Sequence, residues 1–183
     1  MSEPARRSMT ADEFMTWDDG TDTRYELVDG ELVAMAPPSD PHGSISGNAW
    51  GEIDNRLGQR PACRAVVEAG IQVDDRNHYR ADVAATCSEP RRSPYVEAPF
   101  LIVEVLSEGT WREDIGSKLQ RYIQLPSVRE IWLVDSRERW VQVWQRTENA
   151  WIVTLPLRGD ATFASEALAD RVALDALYRN TGL

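Results

Sequence analysis

The run FLIVEVL, Phe100 to Leu106, is apolar at every position but one. A continuous, β-branched apolar run predicts a strand covered on both faces. EIWLVD, RWVQVWQ and AWIVTL, between Glu130 and Leu155, predict three more strands, parted by the turn-like SRER and RTEN. Upstream, CRAVVEAGIQV predicts one or two strands and NHYRADVAATC another. RYELVDGELVAM splits into two short β runs around Asp29-Gly30, the favoured dipeptide of a two-residue hairpin.

Helical spacing appears in three places. Thr10-Ala11-Asp12-Glu13 is a capping box that predicts a short helix through Trp17. From Gly43, after the proline-broken loop APPSDPHGS, the residues Ile45, Ala49, Ile53 and Leu57 recur every four positions. TWREDIGSKLQRYIQL repeats the pattern with Ile115, Leu119, Tyr122 and Ile123, and Pro126 stops it. The tail ends in an amphipathic segment, Val172 to Tyr178. The order helix, hairpin, helix, strands, helix, strands predicts a mixed α/β (α+β) sandwich, a central sheet flanked by helices.

Composition adds limits. A chain of 183 residues suits a single domain spanning 1–183, with residues 1–9 as a flexible N-terminus. Its 42% hydrophobic and 27% charged residues are those of a soluble globular protein. No window approaches the roughly 18 apolar residues of a membrane span, and MSEPARRSMTADEFM lacks the apolar core of a signal peptide. The expectation is a cytoplasmic protein, with no membrane partner, whose Cys63 and Cys87 are unlinked, buried or partly buried thiols. Trp132, Trp140, Trp144 and Trp151 crowd the last strands and are expected to pack in the core or in a dimer interface. The net charge of −10 argues against a broad basic surface gripping a polyanion, though not against a local cationic groove, and it suits carboxylates that hold a cation.

Asp82, in YRADVAAT, and Glu104, in LIVEVL, are carboxylates inside strand signals. An unpaired charge buried in a sheet costs several kcal/mol or is neutralised by a pKa shift. Either each acid pairs with an arginine or faces solvent at a strand end, or a divalent cation lies between them. Hard oxygen ligands suit Mg²⁺ or Mn²⁺.

Among 20 basic residues a single one, Lys118, is lysine. It follows the Glu104 strand on a helix that folds back over the strand end, and Asp114, Lys118 and Tyr122 share one side of that helix. One reading is an exposed Asp114–Lys118 pair worth a few tenths of a kcal/mol. Arginine would serve such a pair equally well. A compact ammonium beside a scissile phosphate or an attacking water is the task that singles out lysine.

These residues, together with YELVDGEL, PHGSISGNAWGEIDNRL, ADVA, LIVEVLSEGTWREDIGSKLQRY and VREIWLVD, resemble the Uma-type family of "putative restriction endonucleases", also called domain of unknown function 820. The resemblance runs from about Thr10 to about Tyr178 and implies a restriction-endonuclease-like fold of the PD-(D/E)XK superfamily. It implies a metal-dependent endonuclease that hydrolyses DNA phosphodiester bonds, using Mg²⁺ or Mn²⁺ and acting as a homodimer. Asp82 and Glu104 would be metal ligands, with the Val105 carbonyl a third. The lysine slot two residues after Glu104 holds Leu106, and the catalytic lysine comes instead from the following helix as Lys118. Glu26 would complete the catalytic acidic cluster. His42 matches a histidine at a helix start, and Asp114 and Tyr122 match positions that orient Lys118.

Two positions depart from the family pattern: Ala81 stands where a proline precedes the aspartate, and Glu108 where a proline follows EVLS. The acidic balance and Glu108 motivate an alternative, a catalytically inactive nuclease-fold module that binds nucleic acid or protein. A third reading is a structural homodimer built on the tryptophan-rich strands.

Overall fold

The structure is a computed structural model that describes residues 8–58, 60–107 and 114–183. The Thr10 capping box opens helix α1, Ala11–Thr16, with both reciprocal hydrogen bonds in place. β1, Tyr25–Val28, and β2, Glu31–Ala34, form the hairpin around Asp29-Gly30. Both turn residues have positive φ, 50° and 84°, the left-handed backbone that this dipeptide tolerates.

Helix α2, Asp40–Leu57, begins three residues before the Gly43 start expected from the prolines. Pro41 sits in its first turn, where a missing N–H removes nothing that the helix uses. Ile45, Ala49, Ile53 and Leu57 are the buried stripe. β3, Arg64–Asp74, is one long strand, followed by β4, Asn77–Thr86, and β5, Pro99–Leu106. A π-helical turn, Asp114–Lys118, passes into α3, Leu119–Tyr122. β6, Glu130–Asp135, β7, Trp140–Arg146, β8, Trp151–Val153, and β9, Leu157–Arg158, complete the large sheet. A second hairpin, β10 Thr162–Ser165 with β11 Asp170–Ala173, leads to α4, Leu174–Leu177.

The sheet has nine strands, in the order β2-β1-β4-β5-β6-β7-β8, with β3 also on β4 and β9 on β7. Its pairing is antiparallel except for β5 with β6, which run parallel. Parallel neighbours need a long crossover, and the one between β5 and β6 contains α3.

The sheet is covered on both faces. Val83, Ala85, Leu101, Val103, Val105, Trp132 and Val134 pack against α2, α4 and Phe163. Ala84, Ile102, Leu106, Ile131 and Leu133 pack against Leu119, Tyr122 and Val128. From Leu101 to Leu106, β5 therefore sends its odd residues to one core and Ile102 and Leu106 to the other, which is why its sequence is a continuous apolar run. Trp132 lies edge-on to Phe163, its centroid 5.0 Å away, so packing accounts for this tryptophan.

The cysteines overturn the expectation of separate thiols: Cys63 and Cys87 form a disulfide. The β3–β4 register that sets Arg64 opposite Thr86, carried one step outward, sets the two cysteines abreast. A separation of 24 residues hid a direct cross-strand neighbour.

Closing a loop of that size stabilises a fold by about 3 kcal/mol. Cys63→Ser is expected to lower the midpoint of thermal unfolding relative to the disulfide-bonded wild type. A dithiol reductant should lower that of the wild type to the same value and leave the variant unmoved. An unchanged midpoint in the variant would show that the link contributes nothing to stability.

Candidate active site

The site is built by a fork in the sheet. On one edge β4 pairs with β3 along nearly its whole length. Its other edge is divided: β1 joins at Leu27 opposite His78, and β5 joins from Val83 opposite Val103 onward. Between these contacts, over residues 79–82 of β4, the ladder is open. Backbone donors beside the opening, one on β4 and one on β5, need other partners, and carboxylates supply them. The Arg80 amide donates to Glu26 Oε1 at 2.7 Å, and the Val105 amide donates to Asp82 Oδ2 at 2.7 Å.

Each acid reaches the notch from a different strand: Glu26 from β1, Asp82 from β4 and Glu104 from β5. The antiparallel register carried one step past Val83 and Val103 sets Asp82 beside Glu104. Glu104 shares its face of β5 with Ile102 and Leu106, beneath α3. Tyr122 donates its hydroxyl to Glu104 Oε1 at 2.7 Å. Lys118 Nζ lies 2.8 Å from Glu26 Oε1 and 4.0 Å from Glu104 Oε2. Lys118 is buried, 6% exposed, which separates it from a solvated surface pair. His42, in the first turn of α2, lies with Nε2 3.3 Å from Asp82 Oδ1.

The fold thus gathers Glu26, His42, Asp82, Glu104, Lys118 and Tyr122 in one place. Tyr122, expected at Lys118, meets Glu104. The side chain of Asp114, and Glu108, lie outside the described residues. Two contributors were hidden from sequence reasoning. The backbone amide of Arg80 carries no side-chain signature. The π-helical turn that delivers Lys118 is a widened turn of the kind often found at functional sites, and its 3.6-like spacing reads as ordinary helix.

The electrostatics are those of crowded anions. Burial, the largest cause, pushes the Glu104 carboxyl well above the ordinary carboxylate range. The Lys118 ammonium pulls the other way, Asp82 and Glu26 add to the rise, and the Tyr122 hydrogen bond opposes it. Burial, then the Glu104 charge, pushes the Tyr122 phenol well above its usual value, so it stays a donor.

Such a set suits a hard divalent cation. Asp82 and Glu104 offer two anionic oxygens. The Val105 carbonyl leaves its strand on the same side as the amide bonded to Asp82, so it too faces the notch. Among the described residues no three or more His, Cys, Asp and Glu side chains form a ready ligand cage. Two carboxylates and a carbonyl, with water and phosphate completing the sphere, is the pattern that Mg²⁺ accepts.

The fold and its notch define a nuclease-like protein of mixed α+β architecture, consistent with the PD-(D/E)XK superfamily. The family model of Uma2, described as "putative restriction endonuclease", matches residues 11–176, and the chain belongs to that family. Two Synechocystis proteins are similar in sequence. The "uncharacterized protein slr1290" is 24% identical over 174 residues, covering 93% of this chain and 92% of its own. The "uncharacterized protein sll1609" is 24% identical over 152 residues, covering 80% and 86%. A crystal structure of a "putative nuclease belonging to DUF820" from Anabaena variabilis has the same fold, with a TM-score of 0.75 at 18% identity over 93% of this chain and 97% of that one.

Two measurements check the notch. Lys118→Met strands a buried Glu26 charge and is expected to cost about 3–5 kcal/mol in urea unfolding. Adding Glu26→Gln should recover most of it, whereas additive losses would show no coupling. Glu104→Gln tests the raised carboxyl. At low pH folded and unfolded chains both hold its proton. As pH rises past the ordinary carboxyl range, the unfolded chain ionises first and the wild type loses stability relative to the variant. The variant's gain in melting temperature should therefore grow as pH rises above the ordinary carboxyl range, and a constant difference would contradict it.

Proposed function

We propose that this protein is a divalent-metal-dependent endonuclease that hydrolyses DNA phosphodiester bonds. The observation that carries the reading is the meeting of Asp82, Glu104 and the lone lysine in one buried notch. A Mg²⁺ or Mn²⁺ ion held by Asp82, Glu104 and the Val105 carbonyl would supply Lewis acidity at the scissile phosphate and lower the pKa of the attacking water. Lys118 offsets the charge that builds on the phosphorus oxygens as the P–O bond to the leaving group breaks. Glu26, fixed by the Arg80 amide, holds the ammonium in place. Tyr122 holds one oxygen of Glu104, and His42 steadies Asp82.

No helix among the described residues is long and apolar enough to cross a membrane, and the cytoplasm is the compartment we assign to such an enzyme. A homodimer remains part of the reading. Ile152 and Val153 of β8, at the sheet edge, and nearby Leu155 are exposed apolar residues, with Leu155 86% exposed, and they favour a second copy there.

The alternative, a nuclease-fold module that binds without cutting, is favoured by the net charge of −10. Purified protein incubated with Mg²⁺ or Mn²⁺ and with supercoiled, linear and single-stranded DNA separates the two. Cleavage is expected, and Lys118→Met or Glu104→Gln should each reduce it about 10²–10³-fold. A wild type that cuts no form of DNA and binds no metal in calorimetry would end the nuclease reading.

A further inference from the structure

We infer that Arg24 and Arg80 form a docking subsite for a backbone phosphate beside the scissile one, and that Glu68 occupies it in the absence of substrate. The inference rests on the proposed function for the kind of ligand, a DNA phosphodiester. The starting observation is a break in the β3–β4 ladder. Val67 pairs with Val83 and Ala69 with Ala81, but the intervening step, Glu68 opposite Asp82, is skipped. Glu68 has φ 48°, left-handed backbone that a residue with a side chain adopts only under constraint. Nothing in the local sequence, VVEAG, asks for that conformation.

What the distortion achieves is visible in its contacts. The Glu68 carboxylate meets Arg24, which hydrogen-bonds to it through Nη1. Arg80 Nη1 lies 3.9 Å from the other carboxylate oxygen and donates to the Glu68 carbonyl at 3.2 Å. Two guanidinium groups thus converge on one carboxylate, and guanidinium groups are the donors that phosphate recognition uses. The side chains of Arg24, Glu68 and Arg80 are 53%, 43% and 34% exposed, so a strand of nucleic acid can reach them.

The position fits the task. The Arg80 backbone amide and the Lys118 ammonium both bond to Glu26, so Arg80 is rooted beside the notch. Glu68 lies between the Val67–Val83 and Ala69–Ala81 pairs of β3 with β4, the strand that carries Asp82. In a protein of net charge −10 a polyanion needs a local cationic foothold, and here it is adjacent to the acidic centre and capped by an exchangeable carboxylate.

The test is equilibrium binding of a fluorescein-labelled DNA duplex by anisotropy, in Ca²⁺, an oxygen-seeking cation that masks the notch carboxylates. Arg24→Ala is expected to reduce the slope of log affinity against log salt by about 0.9, the value for one phosphate contact. Glu68→Gln should tighten binding by about tenfold, by removing the competing charge. Arg158→Ala, which breaks the exposed Arg158–Glu138 pair elsewhere, is the control and should leave the slope unchanged. Equal slopes for Arg24→Ala and wild type, weaker binding by Glu68→Gln, or a wild type that binds no duplex would each overturn the inference. Failure of the nuclease reading is separately visible, as absent cleavage in Mg²⁺ and Mn²⁺ with these slope changes intact.

Discussion

The structure depends on a gap in hydrogen bonding along one edge of β4. β1 and β5 share that edge without meeting, and over residues 79–82 the backbone has no strand to pair with. Unpaired amides inside a protein are costly. Here Glu26 accepts from the Arg80 amide of β4, and Asp82 from the Val105 amide of β5. The same opening that weakens the sheet thus fixes two acids in place and leaves space between the strands for chemistry. A fully paired β4 would be more stable and would have no site.

Burial sets the character of that opening. Glu26, Glu104 and Lys118 are 5%, 5% and 6% exposed, so their mutual effects are little screened by water. Burial raises the Glu104 carboxyl most, and the neighbouring Asp82 and Glu26 charges add to that rise against the pull of the one ammonium, so the notch holds an anionic surplus. A doubly charged cation held by Asp82 and Glu104, as we propose, would relieve that surplus. The hydroxyl of Tyr122 holds one oxygen of Glu104, and the imidazole of His42 lies against Asp82.

A buried acid in a strand is not in itself a mark of function. Glu130 begins β6 and is fully buried, yet it accepts from Trp132 Nε1 at 2.6 Å, from Gln145 at 3.3 Å and from the Ala167 amide at 3.1 Å. It ties the C-terminal segment to the sheet. Glu104 differs in its company: a lysine, two other carboxylates and an open ladder. The distinction lies in three-dimensional surroundings, because Glu130 and Glu104 both sit in similar apolar strand sequences.

The sequence by itself determined what nearest neighbours and periodicity decide. The Thr10 capping box, the Asp29-Gly30 hairpin, the Ile45–Leu57 stripe and the doubly covered β5 are all local, and each formed where its pattern lies. Lys118 stood out by composition alone. Tertiary structure decided everything that joins distant segments: the Cys63–Cys87 link, the fork of β4, the skipped pairing at Glu68, and the choice of Glu104 rather than Lys118 as the partner of Tyr122. Strand register is fixed by contacts across tens of residues, and a single step of register decides which side chains meet. One chain segment read alone carries no record of that step.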